Sequence, residues 1–181
     1  MKFALAAAFI STVLSAVQAL PSPGADYFPP PDACCFPTVP LLRAYNPTIT
    51  DHFYTTNAAE MQNAVTALGY HEEGHAATIH PEQTPITVPL YRLYNPAIYD
   101  HFYTTSTDER DNAARNLGYS TEGITGYVYE DEWCGTVPLY RMYNPSITDH
   151  FYTTNAAEKD NAVNKLGYHY EGIAAYVNPQ A

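Results

Sequence analysis

One stretch occurs three times in this chain of 181 residues, and the copies are spaced by a constant 49. In the middle copy it reads Val88-Pro89-Leu90-Tyr91-Arg92-Leu93-Tyr94-Asn95-Pro96-Ala97-Ile98-Tyr99-Asp100-His101-Phe102-Tyr103-Thr104-Thr105. The first copy starts at Val39-Pro40 and the third at Val137-Pro138. The Asn-Pro steps fall at 46, 95 and 144, and the Asp-His-Phe-Tyr-Thr-Thr runs begin at 51, 100 and 149. A gapless repeat of this period makes each copy one supersecondary unit, which buries its apolar face only against its neighbours.

Each unit has the same internal grammar. Residues 88–94 alternate, with Val88, Leu90, Arg92 and Tyr94 on one face and Pro89, Tyr91 and Leu93 on the other, which is a strand pattern. Pro89, near the start, suggests an edge or first-residue position, where the missing N–H costs nothing. Asn95-Pro96 opens a turn, and residues 101–105 form a second strand, so the pair reads as a hairpin. Asn57-Ala-Ala-Glu60, Ser106-Thr-Asp-Glu109 and Asn155-Ala-Ala-Glu158 have the spacing of a helix capping box. Gly69, Gly118 and Gly167 then stand where a left-handed cap ends the helix. A third strand closes the unit, at 124–128 in the second copy and 173–177 in the third. The expected fold class is α+β, with three strand-strand-helix-strand repeats closed around a pseudo-threefold axis, like a small α/β propeller. A β-trefoil-like arrangement is the alternative, although a trefoil unit normally has no helix.

The repeats occupy 39–87, 88–136 and 137–181 and form one expected domain. Residues 1–19 read as a secretory signal peptide: Lys2, an apolar run, and Val17-Gln18-Ala19 as the cleavage site. Residues 20–38 are Pro-rich and read as an extended arm. Loss of Lys2 with the leader takes the formal charge from −11 to −12. That balance argues against nucleic acid and anionic membrane as partners, because both need clustered Lys and Arg. The three cysteines are Cys34, Cys35 and Cys134, and an oxidising compartment predicts a disulfide. Cys35 with Cys134 is the pairing adopted; Cys34 with Cys134 and a bond between the adjacent pair are the alternatives.

The chemistry-bearing residues recur with the repeat. Asp51-His52, Asp100-His101 and Asp149-His150 are adjacent strand residues that point to opposite faces, so none is a ready-made catalytic dyad. In one account the Asp bonds the turn backbone and the His packs near the hairpin. In the other, His52, His101 and His150 lie on exposed rims beside Tyr54, Tyr103 and Tyr152, giving three aromatic-polar binding sites. Three histidines converging on the axis would suit zinc, but no metal and no cofactor is assigned. Arg43, Arg92 and Arg141 need carboxylates if half-buried. Asp51, Asp100 and Asp149, or the glutamates at 73, 122 and 171, are available once per repeat. Glu60, Glu109 and Glu158 are accounted for as capping residues. The chain has no Gly-x-Ser-x-Gly, His-Glu-x-x-His or phosphate-loop motif.

The run Pro-Leu-Tyr-Arg-Leu-Tyr-Asn-Pro at 89–96, then Asp-His-Phe-Tyr-Thr-Thr at 100–105, an acidic helix, and Gly-Tyr with Glu-Gly-Ile up to 124, resembles a known family. It is a secreted repeat domain of unknown function found in fungal extracellular proteins and appended to bacterial cell-wall hydrolases and proteases. The resemblance covers about 39–178 and implies an accessory or binding role, with cell-wall glycan as a candidate ligand. It carries over no catalytic residues. Copy one departs from the pattern at Leu42, Ala44 and His75. The expectation is therefore a secreted, non-catalytic binding module for glycan. A structural or protein-interaction role, or effector, is the alternative, followed by a polysaccharide hydrolase.

Overall fold

A computed structural model describes residues 34–179. The expected leader and the expected Pro-rich arm as far as residue 33 lie outside the described residues. Each copy folds as strand, strand, helix, strand. The first holds β1 (Val39–Asn46), β2 (Asp51–Thr55), α1 (Ala58–Ala67) and β3 (His71–Ile79). The second holds β4 (Val88–Asn95), β5 (Asp100–Thr104), α2 (Thr107–Asn116) and β6 (Ser120–Val128). The third holds β7 (Val137–Asn144), β8 (Asp149–Thr153), α3 (Ala156–Lys165) and β9 (His169–Val177). The first strand of each unit lies in the middle of its sheet, in the orders β2-β1-β3, β5-β4-β6 and β8-β7-β9.

Pro89 is the second residue of a central strand, which corrects its expected edge or first-residue position, and the register explains why a proline is tolerated there. β5 joins β4 only from Tyr91, paired with Thr104, whereas β6 covers β4 from Val88. Pro89 therefore lies where its strand has a neighbour on one side only, and its missing N–H leaves no gap in the ladder. The third strands start four residues earlier than the 124–128 and 173–177 expected. Two register shifts per sheet absorb the Glu-Gly step, with Gly123 at φ 108° and Gly172 at φ 115°.

Each helix is held at both ends by side chains the repeat conserves. Asn57 accepts from the N–H of Ala59 and Glu60, Ser106 from Glu109, and Asn155 from Ala157 and Glu158. The reciprocal half of the capping box is absent. The N–H of Asn57 goes to Thr55 Oγ1, and those of Ser106 and Asn155 to Thr104 and Thr153. That leaves Glu60, Glu109 and Glu158 available for other contacts, which corrects their reading as caps. At the far end, Asn46 Nδ2 donates to the Leu68 carbonyl at 2.8 Å, and Asn95 and Asn144 do the same for Leu117 and Leu166. The Asn of each Asn-Pro step thus caps a helix C-terminus 22 residues away. Gly69 completes this end at φ 79°, a left-handed conformation that glycine takes without strain.

The two faces of each sheet go to different cores. One face packs on the unit's own helix; in the first unit Ala44 and Phe53 meet Met61, Ala64 and Tyr70. The other face looks to the neighbouring units. There Leu41, Leu90 and Leu139 join Tyr54, Tyr103 and Tyr152 in one shared cluster. The tyrosines bind the units in a cycle. Tyr54 Oη donates to the carbonyl of Tyr152, Tyr103 Oη to Tyr54, and Tyr152 Oη to Tyr103, at 2.7–2.8 Å. Each hydroxyl also accepts the N–H of the same residue whose carbonyl it bonds, at 2.8–2.9 Å. Burial pushes all three phenols well above their ordinary ionisation range.

The tails of the third strands bridge the units as well, through Thr78 with Asn178, His80 with Tyr127, and Tyr129 with Tyr176. Gly126 lies at this junction: a Cβ there would come within 2.5 Å of Ile79 Cδ1 and 2.9 Å of the His80 carbonyl. Cys34 bonds Cys134, pinning the N-terminal segment to the connector before the third unit. The Cys35–Cys134 pairing is thereby corrected to its alternative. Cys35 is exposed and lies outside the bond.

Candidate functional site

The strand Asp-His-Phe-Tyr-Thr puts successive side chains on opposite faces, yet all five positions are buried in every copy. That is possible because each second strand lies between its own helix and the next unit. Asp51 is fully buried. Its Oδ1 accepts the backbone N–H of His101 at 2.9 Å, and its Oδ2 accepts Nδ1 of His101 at 2.6 Å. The Tyr70 hydroxyl donates to the same Oδ2, and its phenol is raised by burial and by that carboxylate. Asp100 binds His150 and Tyr119 in this way, and Asp149 binds His52 and Tyr168.

The Asp-His pairs therefore exist, but between units and not between sequence neighbours. Each account is corrected in part: the Asp does not bond its own turn, and the His is buried and not exposed on a rim, although it does pack against its own hairpin. Nor do the imidazoles converge. The carboxylates do: Asp51, Asp100 and Asp149 each place one oxygen within 4.8 Å of the other two. All of these oxygens already accept hydrogen bonds from the histidines and tyrosines, so the cluster is a buried polar network closed on itself.

The arginines complete each junction. Arg92 of unit two reaches back to Glu60 of unit one with two parallel bonds of 3.0 and 2.8 Å. Arg141 grips Glu109 and Arg43 grips Glu158 likewise. The planar guanidinium suits this bidentate geometry. Nε of each arginine lies 2.9–3.0 Å from Glu73, Glu122 or Glu171 of its own unit without a hydrogen bond, so that contact is ionic only. Glutamates, not Asp51, Asp100 or Asp149, are thus the arginine partners. Burial would raise the ionisation of Glu60, but hydrogen bonds from Arg92 and Thr55 outweigh it and hold the carboxyl below its ordinary value. The arginine also lies over a phenylalanine of the preceding unit, as Arg92 does over Phe53 at 5.3 Å.

Each junction opens as a cleft. The cleft between units one and two, of about 400 Å³, is lined by Phe53, Glu60, Asn63 and Tyr70 from one side and Arg92, Tyr94, His101 and Glu122 from the other. Between units two and three the space is about 190 Å³, with Phe102, Glu109, Asn112, Tyr119, Arg141, His150 and Glu171. Between units three and one it is about 430 Å³, with Phe151, Glu158, Asn161 and Tyr168 facing Tyr45, His52 and Glu73. Three patches of surface thus share a phenylalanine, a tyrosine, a histidine, an asparagine and two glutamates.

A family model described as a domain of unknown function, DUF5648, matches residues 40–178. The chain belongs to this family. No curated protein and no solved structure matches the chain.

Of the expected binding residues, His52, His101 and His150 line the clefts. Tyr54, Tyr103 and Tyr152 do not: each is 1% exposed and is spent in the central cycle. The ring against each His is another tyrosine of the same unit. Tyr45, Tyr94 and Tyr143 pack on His52, His101 and His150 at 4.5 Å between ring centroids with the planes tilted, and Tyr45 and Tyr94 also line their clefts. Strand alternation already put Tyr94 on the face of Arg92, so this residue was findable from the sequence. With Nδ1 committed to the aspartate, Nε2 of His101 is left 3.6 Å from Glu122 Oε2. Asn63 and Leu68, the latter 57% exposed, form the outer rim. The clefts therefore combine aromatic walls, fixed polar groups and an apolar lip. Among the described residues their linings include no serine or cysteine nucleophile.

Proposed function

We propose that the chain is a secreted, non-catalytic binding module in which three like units close about a pseudo-threefold axis and present three clefts to carbohydrate. The observation that carries this reading is the repetition of one set of side chains in all three clefts: an aromatic pair, two glutamates, an oriented imidazole and an asparagine, with the arginine of the clamp also lining two of the three. Largely preformed pockets with aromatic walls and a few placed polar groups are the usual form of small-ligand sites. Three of them on one body favour a repetitive polymer, because each further contact becomes intramolecular and adds avidity. The Cys34–Cys134 disulfide supports secretion into an oxidising compartment.

The clamp weakens the hydrolase alternative. A general acid must hold its proton near working pH, whereas Glu60, Glu109 and Glu158 are all held below the ordinary carboxyl range. Titration calorimetry with soluble wall-type oligosaccharides tests the reading. The expected result is binding at more than one equivalent per chain, weakened by Tyr94→Ala. A glycan array and a polysaccharide pull-down that both capture nothing would sink it.

A further inference from the structure

The three clefts share a lining but not a wall. The turn before each second strand ends in a residue of positive φ: Thr50 at 57°, Tyr99 at 55° and Thr148 at 53°. Such a conformation strains any residue with a Cβ, and most of all a β-branched or bulky one. The two threonines gain something in return. Thr50 Oγ1 shares its proton between the carbonyl of Ile49 at 2.7 Å and that of Ile147 in the neighbouring unit at 2.9 Å, and Thr148 Oγ1 does so between Ile147 at 2.8 Å and Ile98 of the neighbouring unit at 3.0 Å. Tyr99 has no hydroxyl on its Cβ, so the matching turn-to-turn bond is given up. Its ring is instead 48% exposed and lines the cleft between units one and two. All three positions carry the same backbone strain, but only at Tyr99 is an inter-unit contact given up and an aromatic ring left exposed in a cleft. A strained position without that structural return points to a ligand.

We propose that the cleft between units one and two is the primary carbohydrate site and that Tyr99 sets its specificity, offering its ring to the C–H face of a neutral, equatorially substituted hexopyranose. This rests on the carbohydrate-binding reading above. Tyr99 and Tyr94 flank the same space, and the Tyr99 phenol adds to the burial and the Asp51 charge that push the ionisation of Tyr94 upward. A pyranose with equatorial hydroxyls has a flat apolar face for an aromatic wall and a polar edge for fixed donors and acceptors. Asn63, Nε2 of His101 and the Glu60 and Glu122 carboxylates supply that edge. Two glutamates share one arginine here, and the whole chain carries −11, so an anionic sugar is repelled. The other clefts, with threonine in place of tyrosine, are the weaker sites.

The test uses the full chain with cellohexaose, chitohexaose and oligogalacturonate as probes in titration calorimetry. Tyr99→Thr installs the residue its two equivalents carry, so it folds. It is expected to weaken the tightest site by about tenfold or more toward the neutral probes. Thr148→Tyr is expected to add a second tight site. Neutral-probe binding by the wild type that Tyr99→Thr leaves unchanged overturns this inference and spares the functional reading. Preference for oligogalacturonate overturns the ligand class. Failure of the wild type to bind any of the three overturns the inference together with the glycan reading it rests on.

Discussion

The middle of the molecule and the clefts between its units are built from the same five-residue strand, yet they treat their polar groups in opposite ways. In the middle, Asp51 and Tyr54 and their equivalents are at most 1% exposed, and each hydrogen-bonding oxygen has its partner in a cycle that passes from unit to unit. In the clefts, His101 Nε2 and Asn63 face open space, and Leu68 stands 57% exposed. The three copies are identical at Asp, His, Phe and Tyr, whereas the turn at the cleft varies: Tyr99 stands where the other copies have Thr50 and Thr148. A buried network tolerates no change because each lost partner leaves another group unpaired without water. A solvated rim can vary at small energetic cost. The hydrogen bonds that pass from unit to unit thus fix the residues of the buried strand, and any specialisation has to appear at the edges of the clefts.

This contrast can be broken or sharpened experimentally. Asp51→Ala removes the acceptor of His101 and Tyr70 at once and should destabilise by about 4 kcal/mol, as expected for leaving two buried hydrogen-bonding groups unpaired. Urea unfolding measures it. A loss comparable to that of an exposed substitution would show that the central network does not hold the units together. Cys34→Ser opens a link between residues 100 apart in sequence and should lower stability by about 3 kcal/mol. Carbohydrate binding should be left intact, since the bond lies outside the clefts.

Gly126→Ala drives a methyl into Ile79 and the His80 carbonyl and should lose about 2 kcal/mol by overpacking. Ala77 and Ala175 occupy the equivalent positions, so the crowding is specific to this junction. A neutral outcome in thermal unfolding would mean that the strand tails slide freely. The smallest effect concerns the arginine clamps. Glu60, Glu109 and Glu158 titrate below their ordinary value of 4.5 in the fold, so the unfolded chain takes up protons first as pH falls. Their stabilisation is complete above about 4.5 and drains away as pH drops through their lowered values. Replacing all three with Gln should flatten acid unfolding across that window; an unchanged profile would assign the acid sensitivity to other carboxyls.

Much of a single unit was legible in the sequence. The alternation of 88–94, the Asn and Ser caps and the terminal glycines all act through residues within a few positions of one another, so local spacing reveals them. The starts of the third strands were not, because Glu-Gly reads as a break until the bulge that absorbs it is seen. Misplacing Tyr54, Tyr103 and Tyr152 on a rim has a related cause. Alternation assigns a side chain to a face but does not say what covers that face. The same limit hid the role of Glu60, whose capping-box spacing was genuine but whose carboxylate reaches Arg92 of the next unit.

The Asp-His-Phe-Tyr run determined by itself that there would be three like units with a hairpin, a capped helix and a closing strand, and that the same chemistry would recur three times. Only the tertiary structure decided which copy each side chain serves. Asp51 neighbours His52 in the chain but holds His101, and Arg92 binds Glu60 of the unit before and leaves Glu109 of its own helix to Arg141. The reason is geometric. A strand sends adjacent residues to opposite faces, so an Asp-His pair adjacent in sequence is completed by a second copy of itself.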